Sequence, residues 1–534
     1  MRFAFRLRAG FRAWAAPALL AAAVPGFAQQ PETVPVPQIT PIPGTAPTVV
    51  PAGGQVQPAP TAEQRIQSLE MQNAELGRRL DELVNQQEAL LNRLNAVPTQ
   101  AAPLDYETPG QLGRPLPRGA DNIGEEEAPA RVDISHGIRI LSPDGKYRVE
   151  LHNLTQPEFR APFPTSPSAA GTNGLVSSFD IPRQRFYFTG SIDKYFDFYS
   201  VLNRGYGSLD VLDSYVNLKY DKTFNVRVGR TKTPYGYEYY KIAEGDLIAP
   251  ERSVFVGNLS PNRQIGAMAF GRLAGESIEY AAAVMNGPRR SFQDFNDAKM
   301  VALYVNTKPF LYGSNDALRN LNLGISGNFQ RSNDPLEPTA FHTANDETTT
   351  SAVANVSPTF LQFNPLAVQK GNQAFWSGDI AYYYRNLTSL IMYDGGLITY
   401  NLPNRSGIQV PFEGGSAAFT YFLTGEEIVS RKEIEPLREF QLHDVWNNPG
   451  AIEIYTRMGV LSTGNQAFTS GLVDPRLWTH TAYVFDNGVN WYMNRFVRIC
   501  LDWQHSEYSS PVSLGAGRFT SSTDMFWFRS QIFF

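Results

Sequence analysis

Three observations predict an all-β fold, a transmembrane antiparallel β-barrel of about 16 strands. Short segments that alternate apolar and polar residues recur from residue 131 to the end. A basic and then apolar leader opens the chain, and the final stretch "TDMFWFRSQIFF" ends on an aromatic. In that stretch Phe534, Ile532, Ser530, Phe528 and Phe526 share one face, and Phe533, Gln531, Arg529, Trp527 and Met525 share the other. A period of two belongs to a strand between two environments. An end this aromatic fits a last barrel strand meeting a membrane interface better than a terminus fraying in water. No apolar run reaches the roughly 20 residues of a spanning helix.

The elements before the barrel follow in order. Residues 1–28 carry Arg2, Arg6, Arg8 and Arg12, then "AWAAPALLAAAV", then small residues at Gly26 and Ala28. This is the pattern of a cleaved secretory signal, the apolar run being too short for a membrane anchor. Residues 29–60 hold nine prolines and read as a semi-rigid linker. Within 61–97, Ile66, Asn73, Leu80, Gln87 and Leu94 fall at a positions and Leu69, Leu76, Leu83, Leu90 and Val97 at d positions of a short coiled coil. The amides at Asn73 and Gln87 would fix register. A single amphipathic helix is the alternative, and Gly77 weakens the coil. Residues 98–130, rich in Pro, Gly and Glu, form a second linker.

The barrel is assigned to 131–534. In "KYRVELHN", Tyr147, Val149 and Leu151 oppose Arg148, Glu150 and His152. In "IPRQRFYFTG", Phe186 and Phe188 oppose Arg183, Arg185 and Tyr187. In "RFVRICLDWQ", Val497, Ile499, Leu501 and Trp503 oppose Arg498, Cys500, Asp502 and Gln504. A soluble sandwich alternates in the same way, but the leader, the length of the repetition and the aromatic end favour the membrane. "SIDKYFD", "KYDKTF" and "RLAGES" become periplasmic turns. The stretches 161–178, 231–263 and 331–373 become external loops, and 424–448 an unusually long periplasmic connection.

Composition excludes several functions. The 534 residues carry a net charge of −5, which offers no concentrated basic face for nucleic acid. The single cysteine, Cys500, rules out an internal disulfide and a thiolate metal cluster. His136, His152, His342, His443, His480 and His505 have no metal-ligand spacing. No nucleophile elbow or P-loop occurs. "DFND" (Asp294, Asn296, Asp297) lacks the glycine and closing glutamate of a calcium loop and reads as solvated. The chain is expected to be no enzyme and to need no cofactor. Function then rests on the lumen lining: alternation turns Arg183, Arg185, Asn225 and Arg227 to the polar face, where any one of them could serve only to solvate a wide interior.

At "VGRTKTPYGYEYY" (228–240) the chain resembles the phosphate-selective porins of the porin O and P type. "PRQRFYFTG" (182–190), "APERS" (249–253), "MNGP" (285–288), "TYFLTGEE" (420–427), "GAIEIYTRMGVL" (450–461) and "NGVNWYMN" (487–494) follow in the family's order. The resemblance implies a trimeric outer-membrane barrel of sixteen strands, with the third external loop folded inward as a constriction. Here that loop carries Lys232, Lys241, Arg252 and Arg263 against Glu238, Glu244, Asp246 and Glu251. The stretch 331–373 has only Arg331 and Lys370 amid Asp334, Glu337, Asp346 and Glu347. Without a dense basic filter, phosphate specificity does not carry over.

Two functions are expected. One is an outer-membrane pore for small hydrophilic solutes, weakly selective with a lean toward anions. The other is a structural barrel that tethers the membrane to the cell wall through its periplasmic N-terminal segment. Expected partners are outer-membrane lipid, two further copies in a homotrimer, the barrel-assembly machinery and, for the tether, the cell wall.

Overall fold

The computed structural model describes residues 130–134, 137–166, 175–206, 209–345, 357–432 and 434–534, together with Arg78. The expected signal, Pro-rich linker, coiled coil and second linker lie outside these residues, apart from Arg78 and Ala130. The first strands are β1 (Arg131–Asp133), β2 (Ile138–Leu141), β3 (Tyr147–Phe163), β4 (Ser178–Ile192), β5 (Phe196–Asn203), β6 (Asp210–Lys219) and β7 (Asn225–Lys232). Then come β8 (Arg263–Leu273), β9 (Ile278–Met285), β10 (Met300–Thr307), β11 (Leu321–Asp334), β12 (Ala340–His342), β13 (Thr359–Gln362) and β14 (Val368–Tyr384). The last are β15 (Leu387–Leu402), β16 (Arg405–Phe422), β17 (Ala451–Thr463), β18 (Thr481–Tyr492), β19 (Val497–Ser513) and β20 (Phe519–Phe533).

β3 to β11 and β14 to β20 make a closed barrel of 16 antiparallel strands, each paired with the next in sequence, and β20 returns to pair with β3 from Asp524↔Phe163 to Phe533↔Leu154. Closure leaves no strand edge unpaired in lipid, the condition for a sheet to span a membrane. β1 and β2 continue the sheet below that seam, with β2 on the first residues of β3 (Ile138↔Leu151). β12 and β13 form a separate hairpin within the loop between β11 and β14.

The alternation read from sequence is the alternation of the wall. On β4, Phe186 and Phe188 point outward at 45% and 44% exposure while Arg183 and Arg185 are enclosed. On β20, Phe526, Phe528 and Ile532 point outward and Met525, Trp527 and Arg529 inward. The outward groups supply the apolar face that lipid requires. Among the described residues no helix is long and apolar enough to cross a membrane.

The three predicted turns fall at one end of the barrel with the long 423–450 connection, opposite the loops 164–177, 233–262 and 335–367. The expected long connection is therefore present. The main apolar clusters are built where inward loops meet the wall. One joins Val254, Phe255 and Leu259 to Phe341, Phe360 and Phe363 and to β14–β19. The other joins Tyr237, Ile242, Leu247 and Ile248 to β14–β19 and to Ile428 and Ile434 of the 423–450 connection.

Phe534 holds the closing seam: its N–H donates to the Asn153 carbonyl at 3.1 Å, and its own carbonyl accepts from the Asn153 N–H at 2.8 Å. Deleting Phe534 should lower the amount of heat-modifiable barrel in the outer membrane. Unchanged insertion at native expression would contradict this.

Candidate solute pathway

The sequence of 233–262 dictates that it folds inward. Eleven of its side chains from Tyr235 to Leu259 are buried hydrophobics, too many for a loop in water. Its base is tied by Thr233 N–H donating to the Asn262 carbonyl at 3.1 Å. Gly236, at φ +59°, begins the turn into the lumen, and its N–H donates to Ser326 Oγ at 2.9 Å. A side chain there would be strained by φ alone. Tyr235 then donates to the Trp376 carbonyl at 3.1 Å and to Asp394 at 3.2 Å on the far wall.

Two loop carboxylates fix the middle of the segment. Glu251 accepts from Arg183 at 3.1 Å and from Arg529 at 2.6 Å. Glu244 is surrounded by Arg185 at 2.9 Å, Arg263 at 3.0 Å, and Lys232 and Arg252 at 3.3 Å. Burial raises the pKa of Glu244, but Lys232, Arg263, Arg185 and Arg252 outweigh it and hold the group well below the usual carboxylate range. Glu238 pairs with Arg457 at 3.4 Å and accepts from Ser253 Oγ at 2.6 Å. Other wall groups grip the loop backbone: Arg498 donates to the Gly245 and Leu247 carbonyls at 3.0 and 2.7 Å, and Asn490 to the Ile248 carbonyl at 2.9 Å. From the turn end, Arg431 of the 423–450 connection reaches the Asp246 carbonyl at 3.2 Å and pairs with Glu453.

A cavity of about 1450 Å³ remains along β3–β8, opening toward the turn end. Of the ten residues singled out from sequence, Arg185, Asn225, Arg227, Lys232, Lys241, Glu244 and Asp246 line it. Arg183, Glu238 and Arg252 are enclosed between loop and wall at 0%, 5% and 1% exposure. The loop acids Glu238, Glu244 and Glu251 neutralise wall cations directly. Cavity-lining groups that sequence reasoning did not single out include Arg139, Arg148, Arg272, Lys432 and Arg495. Their signal was inward alternation on β2, β3 and β8, and Lys432 and Arg495 lie in connections with no periodicity to read. Overall the lining holds 17 Lys and Arg against eight Asp and Glu.

Some sequence candidates have plain structural roles. Asp294 pairs with Lys299 at 2.5 Å and Asn296 donates to Asp334 at 3.0 Å, so "DFND" is a turn tied to its own flank and to β11. Arg331 and Lys370 are exposed on the outer side of their strands, away from the lumen.

A closed sixteen-stranded barrel with an inward third loop and an apolar outer face defines an outer-membrane porin. The chain belongs to the family of phosphate-selective porins O and P, whose profile matches residues 163–513. It is accordingly an outer-membrane transport protein and not an enzyme. No curated protein matches it in sequence. Among solved structures it is similar to OmpT of Vibrio cholerae in its trimer form, at 10% identity and TM-score 0.43 over 73% of this chain and 99% of that one. It is also similar to an anion-selective porin from Comamonas acidovorans, at 10% identity and TM-score 0.44 over 73% and 100%. OprB of Pseudomonas putida follows at 8% identity and TM-score 0.41 over 73% and 95%.

Asp246 lies at the cavity edge, half-buried, where burial raises its pKa to about 6 against the lowering pull of Arg431, Arg498 and Lys432. A raised carboxylate pKa means ionised above that value and neutral below it. Lowering the pH from about 7.5 to about 5 should therefore remove one negative charge and shift reversal potentials toward anions. Asp246→Asn should show a smaller shift between the two pH values than the wild type; a wild-type shift retained in full by the variant would contradict the assignment.

Proposed function

We propose that the protein is a passive diffusion pore for small hydrophilic solutes and ions, weakly selective and leaning toward anions. The observation that carries this reading is the lining of the cavity, basic overall but with part of its charge internally paired. Arg139 with Glu150, Lys219 with Asp197, and Lys241 with Glu279 are paired within 2.8 Å, which leaves a modest positive field rather than a filter. The β14–β19 side of the lumen is filled by packed apolar groups, so the route runs along β3–β8. Arg185, Asn225, Arg227, Lys232, Lys241, Glu244 and Asp246 are the residues we assign to it, with Arg183, Glu238 and Arg252 acting from behind as the loop's fastening.

Assembly as a homotrimer in outer-membrane lipid rests on family membership and on the heptads of 61–97. The mass of the intact protein in mild detergent tests it, and a monomer would end the claim. The tether reading draws on one observation: β1 and β2 lie at the turn end of the barrel, against the first residues of β3. A barrel that conducts nothing and co-sediments with cell wall would favour it.

Reversal potentials of reconstituted channels in a potassium chloride gradient decide the selectivity. We expect a small displacement toward chloride. Strong anion selectivity, with chloride current blocked by low concentrations of phosphate, would show that the phosphate-specific function is retained.

A further inference from the structure

The lumen wall carries an aromatic strip that the pore reading does not use. Phe533 of β20 meets Tyr187 of β4 at 6.2 Å, Tyr187 meets Tyr199 of β5 at 6.3 Å, and Tyr199 stacks on Tyr215 of β6 at 5.0 Å with 19° between the rings. The guanidinium of Arg227 on β7 then lies 4.0 Å from the Tyr215 ring centre and 5.0 Å from that of Phe270 on β8. All six side chains line the cavity and are half-buried. A barrel wall needs aromatics toward lipid, whereas a water-filled lumen gains nothing from a continuous row of them.

Arg227 differs from the arginines that hold the loop. Its Nε donates to Asn217 at 2.8 Å and its Nη1 to Thr231 at 3.0 Å, and among the described residues no carboxylate pairs with it directly. The flanking rings and these two bonds fix the guanidinium plane, and a preorganised fork loses less freedom when it takes up a carboxylate. Among the described residues the Tyr199 and Tyr215 hydroxyls have no hydrogen-bond partner, and both residues open onto the cavity. The strip therefore offers ring surface, hydroxyls and one fixed cation not directly ion-paired among the described residues, in a row.

We propose that this strip is a transit site for aromatic carboxylates of the benzoate class: the apolar ring travels over the Tyr187–Tyr199–Tyr215 rings and the carboxylate is taken up by Arg227. Ring contact and a fixed cation recognise the two halves of such a solute together. A simple inorganic anion uses only the second half, and a neutral sugar only the first. The inference rests on the pore reading above.

The test uses the full chain in planar bilayers. Chloride current is recorded first, and benzoate or acetate is then added at equal concentration. Benzoate should interrupt the current in a concentration-dependent way and acetate should not. The paired substitution Tyr199→Leu with Tyr215→Leu, which keeps apolar bulk for folding, should raise the benzoate concentration for half-block by about tenfold, and Arg227→Gln by a similar factor. Tyr199→Phe with Tyr215→Phe, which keeps the rings, should retain most of the block. A conducting barrel indifferent to benzoate, or one blocked equally by glucose or acetate, would overturn this inference alone. A barrel that carries no chloride would overturn the pore reading and this inference together.

Discussion

The hold of the wall arginines on Glu244 and Glu251 is the interaction on which the interior depends. Burying ions is costly unless each is paired and its remaining hydrogen-bonding positions are filled. Here the pairing is multiple: Arg183 and Arg529 on Glu251, and Arg185, Arg263, Arg252 and Lys232 around Glu244. Removing either carboxylate deprives several buried cations of a partner at once, where breaking even one buried pair costs about 3–5 kcal/mol. Hydrophobic packing of Phe255, Leu247 and their neighbours supplies the contact area, but it is non-directional. The ion pairs set where along the lumen the loop comes to rest.

That placement divides the lumen. On the β14–β19 side the loop, the β12–β13 hairpin and the 423–450 connection fill the interior with apolar groups. On the β3–β8 side the wall remains lined by charges and by the Tyr187, Tyr199 and Tyr215 rings. The consequence for selectivity is electrostatic. Arginines such as Arg185 and Arg263 that would otherwise present their full positive field to passing ions are partly neutralised by the loop. The inward loop narrows the barrel and weakens its charge filter by the same contacts.

Much of the barrel was legible in the sequence, because the wall obeys a period of two: Phe186 and Phe188 against Arg183 and Arg185 needed only alternation. The third loop and the long connection were legible from length and from the turn residues around them. The loop's partners were not, since Glu251 and Arg529 are separated by 278 positions and nothing local links them. Alternation also fails on β9 and β10, where Ala281, Ala283 and Met285 point inward beside outward Val284. There Tyr240 of the loop packs on the inner face, which makes both faces apolar. Tyr187 was read as merely polar-facing. Its place in an aromatic row appears only when β4, β5 and β6 are laid side by side in register.

The most direct test removes the loop. Thr233 and Asn262 are already joined by a hydrogen bond at the loop's base, so residues 234–261 can be excised and the ends connected by a short turn. The barrel should still close, since its strand pairing does not pass through the loop. Single-channel conductance should rise several-fold, and the reversal potential in a salt gradient should move toward chloride as Arg183 and Arg185 lose their loop carboxylates and Arg263 and Arg529, which keep Asp213 and Glu158, each lose one of two. A loop-free barrel that folds but keeps the native conductance and the native weak selectivity would contradict the account.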